Sequence, residues 1–125
     1  MKEHEFNNVK FIIGENAEDN WNLFDMSKEI NEDYVWFHLN SFASPYVIMY
    51  STILDIKAIG NIETYINFGA ALCLEKSKYS KFKDTKIIYS PLKKLKKGGK
   101  VGEIIVSGKR KLVKVSCPDT IVSTY

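Results

Sequence analysis

Residues 33–50 read DYVWFHLNSFASPYVIMY, and the placement of this stretch decides the fold. It divides at NSFASP (40–45) into two β-rich runs, 34–39 and 46–50. Successive side chains on a strand point to opposite faces. Val35, Phe37 and Leu39 therefore share one face, and Tyr34, Trp36 and His38 the other. In the second run Val47 goes with Met49, and Tyr46 with Ile48 and Tyr50. The first face is wholly apolar and must be core. The second is aromatic with polar tips, whereas a sheet with solvent on one side alternates apolar with polar residues. Two arrangements account for it. In one, both faces are covered, Trp36 and Tyr50 are core, and His38 is a buried ring with a hydrogen-bond partner. In the other, Trp36, His38 and Tyr46 are partly open and stack on bases. A Trp is usually largely buried and Phe37 lies on the wholly apolar face, which makes Trp36 and Phe37 mainly fold residues. His38 and Tyr46 each carry a polar group needing a partner, so both arrangements stay open for them.

Working outward, Val9 to Ile13 form a short strand stopped by Gly14, and ENAEDNWNLFDMSKEI (15–30) places Leu23, Met26 and Ile30 at helical spacing. STILDIKAIG (51–60) is ambiguous. Residues 62–79 form the clearest helix: Ile62, Tyr65, Ile66, Gly69, Leu72 and Cys73 share one face, and Asn61 can cap it. TKIIYSP (85–91) is a strand closed by Pro91, and LKKLKKGGK (92–100) a basic loop or short turn. VGEIIVS and LVKVS are two strands joined across GKRK, a hairpin with Gly108 in its turn. The order β-α-β-β-α-β-β-β predicts an α+β fold, a mostly antiparallel sheet with one long and one shorter helix packed on it. With no repeat or linker, residues 1–125 read as a single domain with its core at about 9–117 and short flexible termini, His4 lying in the first of these.

Hydrophobic residues make up 45% of the 125, enough for a core without crosslinks. No apolar run approaches the length of a membrane span. MKEHEFNN has no apolar signal-like stretch, and Cys73 and Cys117 lack CxxC spacing, so the expectation is a cytoplasmic chain with reduced thiols.

The net charge of +3 conceals a split. Residues 1–75 hold four Lys and twelve acidic residues, a balance of −8; residues 76–125 hold thirteen Lys, one Arg and three acidic residues, a balance of +11. Lys93, Lys94, Lys96, Lys97 and Lys100 fall close together, and Lys109, Arg110 and Lys111 follow in the next turn. Such clusters suit phosphate contacts, which give affinity without sequence choice. With one Arg among eight, bidentate base reading is poorly provided, and recognition of shape or of single strands is the expectation. A lysine-rich solvated edge that discourages strand aggregation is the simpler reading of the same residues. The two His and two Cys, at 4, 38, 73 and 117, have no zinc-ligand spacing, and KKGGKVGE lacks the spacing of a phosphate-binding GxxxxGK[ST] loop. No nucleophile–base pair or other catalytic constellation is legible, so no enzyme, cofactor or metal is expected.

In order, GENAEDNWNLF, DYVWFHLNSFASPYVIM, TKIIYSPLKKLKKGGKVGEIIV and LVKV resemble the NFACT-R domain, the RNA-binding module of the NFACT proteins of ribosome-associated quality control. The matching positions are Gly14, Asn20, Asp33, Trp36, Phe37, His38, Val47, Tyr89, Lys96, Lys97 and Gly102, over about residues 9–117. Tyr46 stands where the family commonly has a His, and the closer likeness is to the short members that begin directly with this domain. The resemblance implies an RNA-binding domain that contacts tRNA, rRNA or the ribosome, with DNA a further partner. The eight basic residues would form its rim, with His38, Tyr46 and Asn20 beside the RNA path. Two other classes stay open, a protein-interaction adaptor using the acidic half and a module for anionic membrane surfaces.

Overall fold

The computed structural model describes residues 1–116; Cys117 and the expected C-terminal tail lie outside the described residues. The strands are β1 (Lys2–Phe6), β2 (Val9–Ile13), β3 (Tyr34–Leu39), β4 (Val47–Thr52), β5 (Thr85–Pro91), β6 (Leu95–Lys97), β7 (Ile104–Val106) and β8 (Lys111–Val115). The helices are α1 (Ala17–Ile30), α2 (Ile53–Ile59) and α3 (Ile62–Glu75). Six strands form one sheet in the order β1-β2-β4-β3-β5-β8, with every pairing antiparallel, and β6 and β7 form a separate two-stranded ribbon. The expected α+β class is observed. Instead of one long and one shorter helix, however, α1 and α3 have 14 residues each, α3 ending at Glu75 rather than at residue 79, and α2 is an additional short helix in the ambiguous segment.

Both faces of the sheet are covered. On one, Phe11, Val35, Phe37, Leu39, Val47, Met49 and Ile87 pack against Tyr65, Ile66, Ala70 and Cys73 of α3. On the other, Ile12, Trp36, Tyr46, Ile48 and Ile88 pack against Leu23 and Phe24 of α1 and Leu95 of the ribbon. The alternation of residues 34–50 is thus preserved, and the aromatic face is interior. Trp36 and Phe37 are 2% and 0% exposed, as fold residues should be.

Local signals explain the helices. Asn16, Thr52 and Asn61 each accept a backbone N–H with the side chain, satisfying donors that a helix start leaves free. The face expected for α3 is the buried one. In α1 the buried set is Asn20, Leu23, Phe24 and Ser27, while Met26 and Ile30 are exposed. The expected face was rotated because it skipped two polar residues whose side chains are hydrogen-bonded inside.

Two further expectations are corrected. The N-terminus is an edge strand rather than a flexible tail: β1 pairs with β2 along its length across Asn7 and Asn8, both at positive φ (49° and 66°). An Asn pair tolerates that conformation and makes a two-residue hairpin turn. The second concerns the hairpin expected across GKRK. β7 pairs with β6, whereas β8 pairs with β5 in the main sheet, so residues 107–110 carry the chain from ribbon to sheet. LKKLKKGGK is accordingly a 3-10 turn (Leu92–Lys94) followed by a strand.

Candidate nucleic-acid interface

The β6–β7 ribbon carries Lys96, Lys97 and Lys100, with the other clustered basic residues in the turns on either side of it and at the start of β8, and it is strapped onto the sheet. Tyr46 donates its hydroxyl to the Gly102 carbonyl at the ribbon tip. Trp21 of α1 donates from Nε1 to the Glu103 carbonyl (3.1 Å), and Lys28 from Nζ to the Leu95 carbonyl (3.1 Å). Gly102 sits at φ +90° against Ala17, a backbone conformation that a side chain would strain. The Ser107 N–H donates to the Lys94 carbonyl (2.8 Å), which sets the turn holding Lys109, Arg110 and Lys111 beside the base of the ribbon. The two lysine groups therefore meet.

All eight basic residues are exposed. Lys93 pairs with Asp33 (2.7 Å), and that carboxylate raises its pKa. Lys97 pairs with Asp25 and lies over the Trp21 ring. Arg110 donates to Asn40 Oδ1 (3.0 Å). Lys94, Lys96, Lys100, Lys109 and Lys111 have no ion pair among the described residues. Together with Arg110, whose partner Asn40 is a neutral amide, these make six of the eight the unneutralised charge.

The three residues expected beside an RNA path fare differently. Tyr46 is fully buried, T-shaped against Trp36 and His38, and burial pushes its hydroxyl pKa up. It cannot stack on a base; its ring holds the ribbon down. Asn20 is 5% exposed and acts as a clamp between α1 and β4. Its Oδ1 accepts from the Tyr46 N–H (3.1 Å), and its Nδ2 donates to the Ser44 carbonyl (3.4 Å). The clamp lies where a Cβ on Gly14 would be, so Gly14 and Asn20 form one structural unit. Both positions are thus corrected from contact to support: buried aromatics and amides are satisfied inside, because leaving them unpaired costs free energy.

His38 is half-buried and lines two neighbouring pockets of about 440 and 310 Å³. Its Nδ1 donates to its neighbour's carbonyl, Leu39 O (2.8 Å), which leaves Nε2 as the ring's acceptor. Burial lowers its pKa, so the neutral ring is favoured. The larger pocket has Lys76 and Lys78 on its rim, the smaller Arg110 and Asn40. Trp36, in the wall of the smaller pocket, has a buried Nε1 with no hydrogen-bond partner among the described residues. The sequence reading missed these pockets and the lysines between 76 and 86. The signal for the latter was present, since KSKYSKFKDTK alternates lysines with aromatic rings. Among the described residues, no group of three His, Cys, Asp or Glu could hold a metal ion, and no helix is long and apolar enough to cross a membrane.

No protein-family model matches the chain, and no curated protein matches it. Among solved structures, it is similar to the C-terminal part of the fibronectin/fibrinogen-binding protein from Streptococcus suis, with a TM-score of 0.76 at 20% identity. The match covers 94% of this chain and 45% of that one, so this chain spans less than half of its neighbour's length. The likeness establishes the fold.

Proposed function

We propose that this is a non-catalytic RNA-binding domain of the cytoplasm, which contacts tRNA, rRNA or the ribosome through the β6–β7 ribbon and the turn that follows it. The observation that carries the reading is the set of five exposed lysines without ionic partners among the described residues, spread over the 3-10 turn, the β6–β7 ribbon, the turn after it and the start of β8, with the ribbon hydrogen-bonded to Tyr46, Trp21 and Lys28. Unpaired lysines replace the counterions condensed on a phosphate backbone, and the release of those counterions supplies affinity. The resemblance to the NFACT-R domain supports the same reading and relates it to translation and ribosome-associated quality control.

Contact with about four phosphates of a single strand gives a slope of log K against log salt of roughly −3. Changing Lys94, Lys96 and Lys100 together to Glu should abolish binding and leave the thermal melt unchanged. Lys97 is the wrong choice for this test because its charge already serves Asp25. A slope near zero, or full binding by the triple variant, refutes the reading.

The structural neighbour's name favours a second reading, a protein-docking module. A partner captured equally well after nuclease treatment selects it. Sedimentation with anionic but not neutral vesicles would instead select a membrane-surface role.

A further inference from the structure

We infer that a second surface, formed by Phe42, Tyr79 and Phe82 and bordered by Lys83 and Lys86 of the lysine-rich segment 76–86, stacks the bases of single-stranded RNA. The inference rests on the RNA-binding reading and adds to it the part of the nucleic acid that is recognised and the residues that do so.

The three rings come from two segments and meet at the surface. Phe42 lies in the β3–β4 loop, and Tyr79 and Phe82 lie in the turn after α3, which the Phe82 N–H closes by donating to the Tyr79 carbonyl (2.9 Å). The centroids of Phe42 and Tyr79 are 4.5 Å apart, those of Tyr79 and Phe82 5.1 Å, and those of Phe42 and Phe82 5.8 Å. Tyr79 packs partly on the core and anchors the group. Phe42 and Phe82 remain 40% and 48% exposed beside a 270 Å³ cleft that also borders Lys83 and Lys86.

Charge selects the occupant. Lys76, Lys78, Lys81, Lys83 and Lys86 are all exposed, with Asp84 the single acid in the segment. Lys114 of β8 lies directly across from Lys86. A second copy of this chain docking ring to ring would bring two such lysine sets together, which costs repulsion. A single strand of nucleic acid offers bases to the rings and phosphates to the lysines at once, the combination that strand-binding surfaces use. The surface is also continuous with the ribbon: Phe42 borders the pocket rimmed by Arg110, whose guanidinium reaches Asn40 two residues before Phe42 in the chain. The path therefore runs from Phe82 past Phe42 and Arg110 to the ribbon lysines. It replaces Tyr46 as the stacking element with rings that solvent reaches.

The test compares a labelled oligouridine with duplex RNA of equal length at one ionic strength, using the native chain, Phe42→Ala/Phe82→Ala and the ribbon triple Glu variant. The double Ala variant should bind oligouridine about tenfold or more weakly. Its duplex binding and salt slope should be unchanged, because no cation is removed. Phe42→Trp/Phe82→Trp should restore binding, which separates stacking from a folding defect. Undiminished oligouridine binding by the double Ala variant, with loss in the ribbon variant, overturns this inference and leaves the ribbon reading standing. Absence of binding to either RNA by the native chain overturns both. A change in oligomeric state without a change in RNA affinity makes the surface an interface between copies and overturns the inference.

Discussion

Gly69 sits at the closest approach of α3 to the sheet, and Gly69→Ala tests the packing on which the whole domain depends. A Cβ built there lies 2.5, 2.6 and 2.9 Å from Cζ, Cε1 and Cε2 of Phe37. In an exposed helix interior this substitution would stabilise by about 0.8–1 kcal/mol. Here the ring it meets is 0% exposed and stacked on Tyr89, so it has nowhere to retreat. Overpacking of a tight core costs about 1–3 kcal/mol, and contacts this short lie at the upper end of that range. The expected net effect is destabilisation by about 1–2 kcal/mol, read as a lower urea midpoint with an unchanged slope. Duplex affinity, which the proposed function places on the ribbon, should not move, because the ribbon lies on the opposite face of the sheet. A Phe37→Leu background removes the clashing ring atoms, so in it Gly69→Ala should become neutral or stabilising, a coupling that a double-mutant cycle reads directly. Phe37→Ala is unsuitable for that purpose; a cost of about 3–5 kcal/mol would unfold many domains of this size. A Gly69→Ala variant more stable than the native protein, or the same loss in the Phe37→Leu background, would refute the argument.

Tyr46→Phe removes only the hydroxyl that reaches Gly102, so it should cost about 1 kcal/mol and speed amide exchange in residues 95–106 while α3 stays protected. Uniform acceleration across the domain would show that the contact is not a local tether. His38 contributes a pH dependence. Its native pKa lies below the ordinary 6.5, so as pH falls the unfolded chain takes up the proton first, and stability present above about that pH is lost below it. His38→Gln should flatten the melting temperature between neutral and mildly acid pH; an unchanged profile would place the titrating group elsewhere.

The sequence by itself determined what depends on neighbours along the chain. The period-two pattern of residues 34–50 decided which side chains share a face, because alternation is a property of the extended backbone. Asn61 marked the start of α3, because capping is a contact within one turn. The clustering of lysines after residue 92 was equally legible. Only the tertiary structure decided what covers each face. The aromatic side of β3 and β4 carried no label saying whether helix, ribbon or solvent lies above it, so Tyr46 could not be told from a stacking platform until the ribbon closed over it. The pairing of β7 was likewise undetermined, since β6 and β8 both lie within reach of a short connection and the strand pattern of IIV (104–106) suits either. Ion pairing followed the same rule: Lys93 and Lys97 lost their availability to Asp33 and Asp25, which lie about sixty and seventy residues away in the chain. Such choices depend on which surfaces meet after the chain has closed its long loops, and no window of local sequence contains both partners.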